Sequence, residues 1–205
     1  ITLNLVDAVT SIKVTRKVAG QELIQGRSIS LVALVEADNE GIPVMPTNRS
    51  VIWSLADDEE STDNATINPR SGVVTAKKNA KIGATVTAIA TPADGFSDTA
   101  VDKIELTILP LAEKVTIDDY ENGETLTVHL SDKTLVLSAA VEGPADATED
   151  PSQDVKWSSN NSSYASVDQN GLVTFKRGNR KVKITATATD GSGKKAYIIL
   201  DIKDN

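Results

Sequence analysis

Val155-Lys156-Trp157-Ser158 is the stretch that decides the fold, because it repeats Val51-Ile52-Trp53-Ser54 from the first half of the chain. Outward from the two tryptophans, three further pairs of segments recur in the same order. These pairs are residues 29–36 with 135–142, 72–75 with 171–174, and 86–91 with 184–189. Ordered repetition across most of the 205 residues predicts two copies of one structural unit of about 100 residues each.

The spacing between matched residues indicates which parts are strands. It falls from 106 residues at the pair Leu31 and Leu137 to 94 at the pair Ile104 and Ile198. The insertions and deletions that this drift requires all fall between the matched segments. Because a one-residue slip turns every side chain of a strand to the opposite face, strands tolerate such changes poorly and loops tolerate them well. The matched segments are therefore predicted strands.

Each copy provides seven predicted strands, lettered A to G. In the first copy they lie near residues 11–17, 28–36, 50–55, 65–67, 72–76, 84–91 and 99–109, and in the second near 114–118, 134–142, 154–159, 165–167, 171–176, 182–189 and 195–203. Apolar residues make up 40% of the chain and aromatic residues only 3%, so the cores must consist mainly of Val, Ile, Leu and Ala. Seven short strands with a tryptophan on the third are typical of an immunoglobulin-like sandwich. The predicted fold class is all-β, with two tandem immunoglobulin-like β-sandwiches of about seven strands each.

The repeat also predicts the domain boundaries. We expect residues 1–9 to be an N-terminal lead-in or the end of an upstream domain, 10–109 to form the first domain, 110–112 the linker and 113–205 the second domain. Trp53 and Trp157 occupy matched positions at the centre of alternating strands. We therefore expect both to pack in the cores and not to stack on sugars.

Four short motifs carry a resemblance to a known family. They are W-S on strand C, Ala-x-Val or Ala-x-Ile on strand D, G-x-V-T on strand E and T-A-x-A on strand F. With these motifs the chain resembles, from about residue 10 onward, two tandem copies of the bacterial Ig-like domain group 2, which occurs in the invasin and intimin adhesins. The first copy departs from the pattern at Asp57-Asp58-Glu59-Glu60 and at residues 79–82.

The resemblance implies architecture and location, since the family has no common active site. It implies a non-catalytic extracellular module of a bacterial cell surface, acting as a structural stalk or an adhesion domain toward an unknown protein or polysaccharide ligand. The alternative is a carbohydrate-binding or spacer module attached to a secreted polysaccharide-acting enzyme. Tyr120, Tyr164 and Tyr197 are the candidate sugar-stacking residues, and their scatter over different segments argues against that alternative.

Composition excludes several kinds of chemistry. The net charge of −8 disfavours nucleic acid as a partner, because an acidic surface repels phosphate. A single histidine, His129, with no cysteine and no nucleophile motif provides no catalytic set and no zinc site, so we expect no enzyme activity, no metal and no cofactor. No apolar run of about 18 residues occurs, so we expect no membrane span in this segment, and we expect a monomer.

Charged residues cluster in the predicted loops. The carboxylates form no spaced D-x-D-x-D-G pattern, so solvated acidic loops are favoured over calcium sites. The acidic clusters are Asp57-Asp58-Glu59-Glu60, Asp118-Asp119 with Glu121, and Asp146, Glu149, Asp150 and Asp154. The loops between strands E and F are basic in both copies, which suits either a contact with an anionic polysaccharide or acidic partner, or solvated turns that discourage edge pairing. Solvated turns are the preferred interpretation. The basic residues are Lys77, Lys78 and Lys81 in the first copy and Lys176, Arg177, Arg180 and Lys181 in the second.

The short linker suggests where the two copies would meet. With seven alternating strands in each copy, the basic E–F loop of the first is expected near the acidic B–C loop of the second. The candidate junction contacts are Lys77, Lys78 and Lys81 with Glu142, Asp146, Glu149 and Asp150. Opposite charges there would bias the hinge by about 1 kcal/mol or less, in a salt-sensitive way.

Overall fold

The computed structural model describes residues 9–39, 42–44, 46, 48–93 and 100–204. The chain divides into two compact units, Ile1–Leu109 and Pro110–Asn205, which are called the first and the second domain below. Residues 1–8 of the predicted lead-in and residue 99, the predicted start of strand G, lie outside the described residues. Val9 is described, and its buried side chain belongs to the core of the first domain.

The described part of the first domain contains nine strands and one short helix. The elements are β1 (Ser11–Arg16), β2 (Leu23–Ile24), β3 (Ser28–Asn39), β4 (Ile42–Val44), β5 (Val51–Leu55), α1 (Glu59–Asn64), β6 (Ala65–Ile67), β7 (Val73–Ala76), β8 (Thr85–Pro92) and β9 (Asp102–Leu109). One sheet has the order β1-β3-β7-β6, with β4 also paired to β3, and the other has the order β2-β9-β8-β5. These two sheets form the predicted sandwich.

The described part of the second domain repeats this arrangement with nine strands. They are β10 (Lys114–Ile117), β11 (Thr125–His129), β12 (Thr134–Val136), β13 (Ala139–Glu142), β14 (Val155–Ser159), β15 (Ala165–Val167), β16 (Leu172–Phe175), β17 (Arg180–Ala188) and β18 (Lys195–Lys203), with a 3-10 turn at Leu130–Asp132. The pairings are β10-β13, β12-β16-β15 and β11-β18-β17-β14. The strands β12 and β13 are two halves of the predicted strand B, and β11-β18-β17-β14 matches β2-β9-β8-β5.

Alternation along the strands explains the two layers. In β17, Val182, Ile184 and Ala186 are fully buried, while Lys183 is exposed on the other face. β-branched side chains at these positions suit a pleated surface that is buried on one side only. Each domain has its own aliphatic core, and neither core cluster contains residues of the other domain. The predicted all-β fold of tandem sandwiches is confirmed.

The structure adds one feature that the sequence did not predict, a short strand after strand A that joins the opposite sheet. In the first domain β2 pairs in parallel with β9, and in the second β11 pairs in parallel with β18. Crossing from one sheet to the other places Leu23, which is 1% exposed, between the layers. The crossing therefore closes one side of the sandwich with apolar side chains.

Candidate binding surface

The two tryptophans lie in the cores. Trp53 on β5 is 4% exposed and Trp157 on β14 is 5% exposed. Each indole packs against the glycine that precedes strand E. A Cβ atom built on Gly72 would lie 2.7 Å from Cε2 of Trp53, and one built on Gly171 would lie 3.4 Å from Cε2 of Trp157. Rings enclosed in this way have no face free to stack on a ligand.

The three candidate junction lysines of the first domain are placed around α1 and the loop after β7. Lys77 donates a hydrogen bond from Nζ to the backbone oxygen of Thr62 at 3.0 Å. The backbone N–H of Lys81 donates to Oδ1 of Asn64 at 2.6 Å. Lys78 is exposed. Two of the three residues therefore tie their own loop to the end of the helix.

The four candidate junction carboxylates of the second domain lie at the end of β13 and in the loop that follows it. Glu142 forms a salt bridge with Lys114, with 2.9 Å between Oε1 and Nζ. Asp146, Glu149 and Asp150 are exposed. The pair of Glu142 and Lys114 spans two antiparallel partners of one sheet, so Glu142 has a local structural role.

The acidic run at residues 57–60 begins α1. Asp58 caps the helix, because its Oδ1 accepts a hydrogen bond from the N–H of Ser61 at 2.6 Å. Oε1 of Glu60 accepts from the N–H of Thr85 at 3.1 Å. These carboxylates thus satisfy backbone donors of their own domain. Over the described residues, no three His, Cys, Asp or Glu side chains are grouped so that they could hold a metal ion.

His129 stands at the end of β11 and is exposed. Its backbone N–H donates to Oδ2 of Asp132 at 2.8 Å, which fixes the 3-10 turn that follows the strand. The residue therefore marks the exit of the chain from this sheet and lies on its outer surface.

The sheet β11-β18-β17-β14 turns a strongly charged surface outward, which we call the basic face. Alternation and cross-strand register place 14 residues on this surface. They are Thr125, Thr127, His129, Lys156, Ser158, Lys181, Lys183, Thr185, Thr187, Lys195, Tyr197, Ile199, Asp201 and Lys203. Lys156, Lys181, Lys183, Lys195 and Lys203 are all exposed.

Cross-strand register arranges the centre of the basic face in rows. Thr187 is paired with both Lys156 and Lys195, and the next row holds Thr185 between Ser158 and Tyr197. Neighbouring strands lie about 4.8 Å apart, and successive residues on one face of a strand lie about 6.8 Å apart. Nζ of Lys183 stands 5.1 Å from the centre of the Tyr197 ring, within the range of a cation–π contact.

Charge is strongly segregated in the second domain. Residues 110–205 contain 15 Asp and Glu against 11 Lys and Arg. The basic face, all of which is described, contains one acid, Asp201, and its Oδ2 lies 3.0 Å from Nζ of Lys203. A domain that is acidic in total therefore presents one basic sheet surface.

A groove continues the basic face toward β10. It has a volume of about 370 Å³, and its polar walls carry two acids and three lysines beside Tyr120 and Asn122. The charged residues are Glu113, Glu121, Lys114, Lys194 and Lys195. Oδ1 of Asn122 accepts the backbone N–H of Tyr197 at 2.9 Å, so the wall of the groove and the aromatic residue of the face are joined directly. Lys195 belongs to both surfaces.

Sequence reasoning missed this surface as a unit. It assigned Lys181 to a basic loop and treated the tyrosines as scattered. The alternation of β17 already placed Lys183 and Thr185 on the solvent side, but only the register with β18 and β14 brings Tyr197, Lys195 and Lys156 beside them. Non-local pairing is what assembles the face.

Comparison with known proteins gives a family match over part of the second domain. Residues 120–199 match the family model of the bacterial Ig-like domain (group 2), so the resemblance predicted for that copy is confirmed. The match lies wholly within the second domain, so the resemblance of the first copy stays a prediction. No curated protein matches the chain. Among the described residues no helix is long and apolar enough to cross a membrane.

Several solved structures are similar at low identity. Domains 4 and 5 of the S-layer protein SbsC are 12% identical, with 95% of this chain and 98% of that chain covered and a TM-score of 0.35. Drosophila N-cadherin EC1-4 is 13% identical, with 90% of this chain covered and a TM-score of 0.35. The match spans 47% of that cadherin chain, about half its length. TM-scores of this size carry no argument about function.

Proposed function

We propose that the chain is a non-catalytic extracellular module of a bacterial surface protein, where it acts as a structural stalk or an adhesion domain. The observation that carries the proposal is the match of residues 120–199 to the bacterial Ig-like domain group 2. The resemblance places this domain group in the invasin and intimin adhesins, and tandem sandwiches suit a stalk or adhesion role.

The use of buried polar groups supports a structural role. In the described part of the chain the buried polar or charged side chains are Ser61, Ser152 and Asp190. The carboxylate of Asp190 accepts backbone N–H groups from Ala112 at 2.5 Å and Ser192 at 2.8 Å. Oγ of Ser61 accepts the N–H of Thr87 at 3.0 Å. These two buried groups hold backbone of their own domain in place.

We also propose that the first domain is a diverged copy of the same family. Both domains have the same strand order and pack a tryptophan against the glycine that precedes strand E. The N–H of Leu31 donates to the oxygen of Gly72 at 3.0 Å, and the N–H of Leu137 donates to the oxygen of Gly171 at the same distance. A shared hydrogen bond at matched positions supports common descent of the two copies.

Surface display can be tested on the cells that make the protein. Antibodies raised against the 205-residue chain should label intact cells, and brief treatment with an external protease should remove the label. A cytoplasmic protein serves as the control for lysis. Labelling that requires permeabilised cells would contradict the proposed location and, with it, the stalk and adhesion functions.

A further inference from the structure

We propose that the basic face of the second domain binds an anionic polysaccharide, with Lys156, Lys183 and Lys195 as its cationic contacts and Tyr197 as its aromatic contact. The proposal deepens the adhesive part of the proposed function, on which it rests, by naming the class of ligand and the surface that takes it.

Of the five lysines on this surface, Lys203 forms a salt bridge, with Asp201, and Lys183 contacts the Tyr197 ring. The three salt bridges within the described residues involve Lys103, Lys114 and Lys203. Lys156, Lys183 and Lys195 therefore stand on one sheet face and take part in none of these salt bridges, in a domain where acids outnumber bases. Like charges held together repel each other, and a polyanion laid across them removes that repulsion while forming charge-assisted hydrogen bonds.

The neutral residues between the lysines suit a sugar. Ser158, Thr185 and Thr187 supply hydroxyl groups that both donate and accept hydrogen bonds, as sugar hydroxyls do. Tyr197 lies in the same row as Thr185 and offers an amphipathic ring on a strand whose backbone is held by β17 and Asn122. Rows of hydroxyls and lysines with one aromatic ring present both kinds of contact that an acidic sugar needs.

The shape of the surface suits an extended polymer. A sheet face of four strands is open along its length. Successive rows lie about 6.8 Å apart, so an extended chain crossing them meets a new cation or hydroxyl at each step. A single small sugar would reach only one or two of these rows.

Charge density favours a polysaccharide over a nucleic acid. Duplex DNA carries one charge per roughly 1.7 Å of its axis, and its binding proteins are usually basic over the whole domain. The second domain is acidic in total, and acidic loops such as residues 146–150 would repel so dense a polyanion. A polymer with about one carboxylate per sugar can satisfy three lysines without approaching those loops closely.

The test measures binding of the full 205-residue chain to polygalacturonate by biolayer interferometry at low salt. The triple variant K156Q/K183Q/K195Q should bind about tenfold or more weakly, since each lost contact weakens a surface ion pair. The matched control is K13Q/K17Q/R70Q, which removes the same charge from exposed cationic residues of the first domain and should bind as the parent does. Methyl-esterified polygalacturonate, which keeps the backbone and loses the charge, should bind weakly to all three proteins.

Three results would overturn or limit the proposal. Equal losses in both triple variants would reduce the effect to net charge and overturn the site. Equal or tighter binding of duplex DNA or poly-glutamate would overturn the assignment to polysaccharide. Unchanged melting temperatures of the variants show that any loss comes from the surface and not from unfolding. Failure of binding together with labelling of intact cells would reject this inference and leave the surface location standing.

Discussion

The two domains cover the same edge of strand F in different ways. In both, this strand extends beyond strand C, which leaves backbone groups of Thr85 and Thr87 in the first domain, and of Lys183 in the second, without a strand partner. The first domain covers this edge with α1, whose Glu60 and Ser61 side chains accept the two N–H groups. In the second domain a single residue, Asn160, both donates to the oxygen and accepts from the N–H of Lys183.

This difference shows how one fold acquires two surfaces. A helix capped by Asp58 brings the acidic residues 57–60 to this edge in the first domain, whereas in the second domain Asn160 alone covers the backbone of Lys183. The buried tryptophan, the glycine and the aliphatic strands are common to both domains because folding requires them. The edge cover is free to vary, because any donor and acceptor of suitable reach satisfies the backbone.

The largest expected effect tests whether the cores are equivalent and independent. Trp157→Ala should lower the stability of the second domain by about 3–5 kcal/mol, because it leaves a large cavity in a core with few aromatic residues. Trp53→Ala should do the same to the first domain. Differential scanning calorimetry should show one transition moved and the other retained in each variant. Movement of both transitions in one variant would contradict independent cores.

A smaller effect should separate the two matched glycines. Gly72 and Gly171 have φ angles of 66° and 79°, and an alanine at such an angle costs about 1–3 kcal/mol. At Gly72 the added Cβ meets a side chain, Trp53, whereas at Gly171 it overlaps the backbone oxygen of Leu137. Gly171→Ala should therefore be the more destabilising, since a hydrogen-bonded backbone yields less than a ring does.

Gly20→Ala and Gly193→Ala are the controls for this comparison. Both glycines have positive φ, at 74° and 75°, and no atom within 4 Å of the position of a Cβ. In urea unfolding curves, these two variants should lose only the free energy of unfolding that comes from placing alanine at a positive φ. A loss at Gly193 as large as that at Gly171 would mean that the contact with Leu137 contributes nothing.

The smallest expected loss of stability compares the two groups that satisfy the edge of strand F, Ser61 of α1 and Asn160. Ser61 is fully buried, so Ser61→Ala leaves the N–H of Thr87 without a partner and should cost about 1–3 kcal/mol. Asn160 is exposed, and water can replace its side chain, so Asn160→Ala should cost less than about 1 kcal/mol. Hydrogen exchange rates of the Thr87 and Lys183 amides measure how well each edge is protected, and each rate should rise in the corresponding variant. Equal costs would show that burial of the edge makes no difference.

The repeat predicted the sandwiches because each strand carries its own alternation, and matched strands such as β8 and β17 keep it in both copies. The short crossing strand β2 has only two residues, Leu23 and Ile24, which is too few for a periodic pattern. The helix α1 had a readable signal, an Asp N-cap followed by two glutamates, which was interpreted as a solvated loop. Predicting the basic face would have required the register among β14, β17 and β18, and no local stretch of sequence encodes that register.

The parallel pairing of the crossing strands has a mechanical consequence. In the second domain β11 lies beside β18 over five residue pairs, from Thr125 with Ile199 to His129 with Lys203. In the first domain β2 and β9 share only two. Tension applied to the two ends of a domain loads such a parallel pair in shear, so its hydrogen bonds must break together and not one after another. Under a pulling force the second domain should therefore stay folded after the first domain has unfolded.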